Sequence, residues 1–253
     1  MTLSLVLTEA RGDVAILTLS RPPANALDLE LLLALGRAVT EAESARAIVL
    51  TGSERFFSAG LDLAYVLSLD DAQGLAFAQA FDDVMTTLFA APGPLIAALS
   101  GHAVAGGAVI AAAADFRLMA AGPSRIGLPE IKVGVPFPVS ALEIVRQAWG
   151  GPHLARLLFR GDTVDAAEAL SLGLVDELVE PAELLDKALA LANSLAAAPR
   201  ASFSATKRVL RAPGLARIHA ARAAGPDLVW EVWRSPEVRA AIAAYGASVL
   251  RRK

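Results

Sequence analysis

The sequence predicts an α/β core with parallel strand pairing, followed by a helical C-terminal part. Short apolar runs of strand length alternate with helix-length periodic segments through about residue 180. From Pro181 onward the chain reads as helix only, with breaks near Pro199, Pro213 and Pro226. Its 253 residues, 55% of them apolar, suffice for one large hydrophobic core. No charge block, Ser/Gly linker or clear repeat divides the chain, so one core with a helical extension is simpler than two domains.

The elements follow in order. Val14–Leu19 alternates β-branched and aliphatic residues and reads as a strand, which Arg21-Pro22-Pro23 stops. Asp28 can cap a helix in which Leu29, Leu32, Leu33 and Leu35 form one stripe. Ala47–Leu50 is a buried strand by its length, ending at Thr51-Gly52. Ser68 with Asp71 resembles a capping box for a helix running to about Ala90. Pro92-Gly93-Pro94 ends that helix before Leu95–Leu99, another buried strand.

Composition removes several function classes. The absence of cysteine rules out disulfides, thiolate metal sites and a cysteine nucleophile. With 23 basic and 26 acidic residues, the chain has no electrostatic footprint for nucleic acid or an anionic membrane. Trp149, Trp230 and Trp233 are too scattered for a base-stacking platform. A mean hydropathy of +0.51 raises the question of a membrane span. The most apolar stretch, Leu95–Ala121, is interrupted by Ser100, His102, Asp115 and Arg117 and broken by Gly101, Gly106 and Gly107. Its uninterrupted part, Ala103–Ala114, falls short of the roughly 20 residues a spanning helix needs. It reads as buried strand, turn and helix. Glu9, Arg11 and Asp13 arrive early with no apolar signal core, so the expected location is cytoplasmic.

Three segments are candidates for chemistry. In Phe56-Phe57-Ser58-Ala59-Gly60-Leu61-Asp62-Leu63, small side chains after a buried strand let a ligand approach the backbone and its N–H groups. An ordinary strand-to-loop turn has the same composition. In Gly101-His102-Ala103-Val104-Ala105-Gly106-Gly107, a glycine pair opens an apolar helix and exposes unpaired N–H groups at its positive end. A phosphate loop is rejected, because Gly107 and Ala108 stand where lysine and a hydroxyl should follow. Glycines for tight helix–sheet packing remain the alternative. In Ile126-Gly127-Leu128-Pro129-Glu130-Ile131, a lone carboxylate sits among apolar residues, with Val135 and Phe137 following. That suits proton transfer in a greasy site, against a solvated glutamate at a helix start.

Other polar residues have plainer readings. His102 reads as a packed core residue, and His153 and His219 lie on helical surfaces. Asp165 and Glu168 answer a helix dipole. No histidine pair has metal-ligand spacing, so no metal is expected, and no serine sits in a Gly-x-Ser-x-Gly elbow.

Taken in order, the three segments resemble the crotonase superfamily, the enoyl-CoA hydratase/isomerase family, over nearly the whole chain. Arg21-Pro22-Pro23-Ala24-Asn25-Ala26-Leu27 looks like that family's early Pro…Asn-Ala-Leu turn. Phe57–Leu63 and Ser100–Gly107 look like its two oxyanion loops, and Leu172-Gly173-Leu174-Val175-Asp176 like its late Gly-Leu-Val-Asp strand. The resemblance implies a crotonase-like spiral of ββα units over residues 1–195 and a helical assembly region over 196–253. It also implies homotrimers or dimers of trimers, and an acyl-CoA thioester substrate of which coenzyme A is a part, with no separate cofactor. By carry-over, the N–H groups of Leu61 and Gly106 hold the thioester oxygen, where charge develops as an enolate forms. The loop Ala59, Gly60, Leu61, Asp62 and Leu63 receives the adenine and pantetheine. Ala24, Gly107, Val109, Pro129, Val135 and Phe137 are placed at the substrate as well.

One departure is informative. A hydratase of this family uses two glutamates; Glu130 matches the second, and Val109 occupies the place of the first. One base without a partner fits a proton shuttle better than hydration. The resemblance is therefore nearest in style to Δ3,Δ2-enoyl-CoA isomerases: Glu130 takes a proton from C2 and returns it to C4, while Phe137, Val109 and Val135 exclude water. A hydratase, a thioester hydrolase and a non-catalytic acyl-CoA binder are the alternatives. The lysine that often follows the first oxyanion loop is absent, with Ala64 and Tyr65 there. That leaves Arg21 or the tail Arg251-Arg252-Lys253 to meet the CoA phosphates, the tail being equally a solubilising end.

Overall fold

A computed structural model describes residues 4–225 and 228–250. Strands β1 (Val6–Arg11) and β2 (Val14–Leu19) form an antiparallel hairpin. Helix α1 (Leu29–Glu41) starts where Asp28 accepts a hydrogen bond from Leu31 N at 2.8 Å. Its buried stripe is Leu31, Leu32, Leu35, Ala38 and Val39, while Leu33 is 44% exposed. The expected stripe through Leu33 is thus corrected: at about 3.6 residues per turn, Leu33 falls on the face opposite this set.

β3 (Ala47–Thr51), β4 (Phe56–Ser58) and α2 (Leu63–Ser68) follow, then the long α3 (Asp71–Ala90). The capping box of α3 lies at Asp70 and Gln73, not at Ser68 and Asp71. Asp70 accepts from Gln73 N at 2.8 Å and Gln73 accepts from Asp70 N at 3.1 Å. Ser68 instead closes α2, its hydroxyl donating to Tyr65 O. Next come β5 (Leu95–Leu99), β6 (His102–Val104), α4 (Gly106–Ala113), β7 (Phe116–Ala120), β8 (Arg125–Gly127) and α5 (Glu130–Val133). The chain continues through α6 (Val139–Trp149), α7 (Pro152–Arg160), β9 (Thr163–Asp165), α8 (Ala166–Ser171), β10 (Glu177–Val179) and α9 (Leu184–Ala196). The Gly-Leu-Val-Asp segment is the turn ahead of β10 rather than a strand, with Gly173 at φ +69°.

One sheet has the order β1-β2-β3-β5-β7-β10, and every pairing after the first hairpin is parallel. The second has the order β4-β6-β8-β9, parallel except for β8–β9. The successive pairs β3–β4, β5–β6 and β7–β8 each give one strand to each sheet before a helix follows. This repetition makes the chain a spiral of ββα units. Parallel strands covered on both faces explain why β3 and β5 are apolar without alternation.

The helical end consists of α10 (Arg200–Ala223), α11 (Leu228–Trp233) and α12 (Pro236–Leu250). The break expected near Pro213 is absent: Pro213 lies inside α10. Contacts on both sides hold the helix through it. Lys207 and Arg211 reach Asp115 at 2.7 and 2.6 Å, and Ile218 is buried beyond it. Pro226 and the tail Arg251–Lys253 lie outside the described residues. α10 packs on α6 and α3, whereas α12 folds back on α2 and α5. Among the described residues, no helix is long and apolar enough to cross a membrane.

Candidate active site

The first wall of the site is a loop laced to an earlier turn. Leu27 N donates to Gly60 O at 2.8 Å and Asp62 N donates to Leu27 O at 2.9 Å, forming a one-residue parallel bridge between Leu27 and Leu61. In such a bridge the flanking peptides carry the bonds, which leaves the Leu61 N–H on the opposite side. Asn25 anchors the arrangement from behind, buried and at φ +48°. Its amide donates to Phe56 O at 3.0 Å and Phe57 O at 3.1 Å, while its Oδ1 accepts from Arg21 N. Ser58 Oγ donates to Asn25 O at 2.8 Å, and Ala59 N donates to Ala24 O at 3.0 Å.

The second wall begins at Ala105, which precedes α4 with φ +53° and ψ −128°. A residue with a Cβ resists that conformation at a cost of about 1–3 kcal/mol, and such strain clusters at functional sites. The strained residue is held by Gly127 O, which accepts from Ala105 N at 2.9 Å, and by Ala108 N and Val109 N, which donate to Ala105 O. Gly106 is thereby the first residue of α4, at the positive end of the helix dipole. Neither Leu61 N–H nor Gly106 N–H meets an acceptor among the described residues. Glycine is required where these loops touch. A Cβ on Gly60 would lie 3.0 Å from Gly106 N, and one on Gly107 would lie 2.3 Å from Ser58 O.

Between these walls and the C-terminal helices lies a cavity of about 550 Å³. Glu130 enters it from the first position of α5. Its Oε2 is buried and has no hydrogen-bond partner. Burial pushes the Glu130 carboxyl up to about 8, its own backbone N–H pulling weakly the other way. A carboxylic acid that is neutral near pH 7 and able to become a base shares a largely apolar cavity with Leu61 and Gly106, whose N–H groups meet no acceptor among the described residues. That arrangement can move a proton beside a developing oxyanion.

The structure distributes the candidate residues between lining and support. Ala59, Leu61, Leu63, Gly106, Val109, Pro129, Glu130, Val135 and Phe137 all line the cavity. Ala24, Gly60, Asp62 and Gly107 lie behind the lining. Ala24 and Gly60 are bonded through their carbonyls, and Gly107 packs on Ser58. Asp62 caps α2 by accepting from Tyr65 N and pairs with Arg21 at 3.2 Å. Arg21 is also held by Asp28 at 2.7 Å, so it is committed to the turn rather than free for a ligand. His102 is only half-buried, its Nδ1 accepting from Arg125 N and its ring lying on Phe56, which corrects the packed-core reading. Sequence reasoning missed Phe77 and Phe81 of α3, and Trp233 and Ile242 of the C-terminal helices, all of which line the cavity. The aromatic spacing in α3 was a usable signal; the return of α11 and α12 had none.

Comparison with known proteins places this geometry. A family model described as Enoyl-CoA hydratase/isomerase matches residues 9–247. A probable enoyl-CoA hydratase of Mycobacterium avium is 31% identical over 242 residues, covering 94% of this chain and 88% of that protein. A putative enoyl-CoA hydratase of Thermus thermophilus is 36% identical over 213 residues, covering 81% and 83%. Among solved structures, human mitochondrial delta3-delta2-enoyl-CoA isomerase superposes with a TM-score of 0.93 at 28% identity, covering 98% of this chain and 99% of that one.

Proposed function

Since the chain belongs to the enoyl-CoA hydratase/isomerase family, we propose that it moves the double bond of a 3-enoyl-CoA to the 2-position by a single-carboxylate proton shuttle. The thioester oxygen lies between Leu61 N–H and Gly106 N–H. Ionised Glu130 removes a C2 proton, and the electron pair passes to that oxygen as a dienolate. The two N–H groups stabilise the developing charge; loss of one such donor costs about 3 kcal/mol of barrier in other oxyanion holes. The protonated carboxyl then gives the proton to C4, and the double bond settles between C2 and C3.

One observation carries this reading. Val109, only 1% exposed, lines the cavity at the position where the resemblance to hydratases of this family puts a second carboxylate. Val135 and Phe137 extend the same dry surface beside Glu130. A hydratase is the second reading, favoured by the names of the two bacterial relatives; it needs water held by groups other than a glutamate at 109. Incubation with 3-hexenoyl-CoA separates the two. The expected product is the conjugated 2-enoyl thioester without added water; 3-hydroxyacyl-CoA as the main product contradicts the proposal.

We also propose a homotrimer or dimer of trimers. Exposed apolar side chains on α7 and α10 support it: Phe159 is 77% exposed, Val209 73% and Leu210 60%. Light scattering on the purified protein gives the mass directly, and a monomer at micromolar concentration contradicts the assembly.

A further inference from the structure

Three arginines line the cavity, and they differ in what holds them. Arg222 pairs with Asp82 at 2.9 Å and Asp83 at 3.0 Å. Arg234 pairs with Glu231 at 2.8 Å and Asp71 at 3.6 Å. Arg239 has no carboxylate partner among the described residues. Its one bond runs from Nη2 to Leu67 O at 2.6 Å, in the last turn of α2. It is half-buried, and a guanidinium held by a single carbonyl keeps most of its planar fork of donors available. A guanidinium with donors to spare is a ready partner for a bound anion.

Its place in the fold relates it to the reacting groups. Val238 and Ile242 of α12 cluster with Leu63 and Leu67 of α2 and with Val133 and Val135 around α5. α2 starts two residues after Leu61, and α5 starts at Glu130. Arg239 therefore stands on the wall that joins both reacting groups, within the same cavity.

We infer that Arg239, a cavity-wall guanidinium without a carboxylate partner among the described residues, binds an anionic group of the acyl-CoA substrate. This rests on the acyl-CoA reading of the site. The anion is either a phosphate of the CoA handle or a carboxylate carried on the acyl chain. Arg21 is excluded from this role by its two carboxylate partners.

The test compares the parent protein with Arg239→Met, which keeps the aliphatic bulk, and Arg239→Lys, which keeps the charge. Titrations use hexanoyl-CoA, hexanoyl-pantetheine without phosphates, and adipoyl-CoA with a terminal carboxylate. The expected result is a roughly tenfold weaker Kd of Arg239→Met for hexanoyl-CoA, as for loss of a charge-assisted hydrogen bond. Hexanoyl-pantetheine binding stays unchanged, and Arg239→Lys recovers part of the loss. A loss confined to adipoyl-CoA supports the inference and assigns the anion to the acyl chain. Equal weakening with hexanoyl-pantetheine, or no weakening with any ligand, overturns it; Arg239 then serves only to hold α12 on α2. A parent protein that binds no hexanoyl-CoA ends the acyl-CoA reading, and the inference with it. Arg239→Lys keeps the test open if Arg239→Met fails to fold.

Discussion

A carboxylate at the first position of a four-residue helix is ordinarily solvated, and from residue types alone Glu130 fits that role as well as a catalytic one. Here its neighbours Pro129, Val133 and Val135 are buried, and burial of the carboxyl itself disfavours the ionised form. The resulting rise from 4.5 to about 8 has a definite sign for stability. Between those values the folded protein holds a proton that the unfolded chain releases, so stability falls as pH rises, by up to roughly 5 kcal/mol across the window. Glu130→Gln removes that loss. Its thermal midpoint should match the parent near pH 5 and exceed it above pH 8, while turnover falls by roughly 10²–10⁴-fold. Calorimetry and a conjugated-enoyl absorbance assay check the two halves separately. For the parent, kcat/KM should rise with pH through about 8. A profile flat from pH 6 to 9 contradicts the role given to Glu130.

At the scale of elements, Asn25 binds two segments that the sequence keeps 31 residues apart. Asn25→Ala would leave the buried Phe57 O without its amide donor, take one of three donors from Phe56 O, and release the loop that presents Leu61. A destabilisation of about 3 kcal/mol is expected, with kcat falling more than KM rises; denaturant melts and steady-state kinetics measure both. Asp70→Ala should cost about 1 kcal/mol through the capping box, and Ser68→Ala much less. The contrast shows what the sequence makes legible. Strand and helix types follow from local periodicity: β2, β3, β5 and α3 stand where the pattern puts them. The cap of α3 was misplaced because Ser68 and Asp70 both precede a helical run, and only the end of α2 decides between them. The glycine pair before α4 was visible, but its reason was not. Gly107 faces Ser58, a contact across 49 positions of chain that no local rule predicts.

For the whole molecule, the unforeseen feature is the return of the C-terminal helices over the core. Their alanine-rich sequences suit intersubunit and intramolecular packing equally. Here α11 and α12 supply one wall of the cavity, so the end of the chain belongs to the site as well as to any assembly. The anchor is Asp115 with the buried Lys207 and Arg211. Arg211 also lies over the Phe89 ring at 4.6 Å. Asp115→Ala leaves two buried cations without their partner and should destabilise by about 3–5 kcal/mol, as read by denaturant melts. A loss below 1 kcal/mol contradicts the anchor.

The proposed shuttle uses one carboxyl both to remove and to return the proton, in a space that excludes water. It is tested most directly by single-turnover reaction of 3-hexenoyl-CoA carrying deuterium at C2, in ordinary water, with the product mapped by mass spectrometry. The expected product is 2-hexenoyl-CoA with a measurable share of deuterium transferred to C4, lost together with turnover in Glu130→Gln. A conjugated product carrying no deuterium at C4, or one still formed at the parent rate by Glu130→Gln, contradicts it.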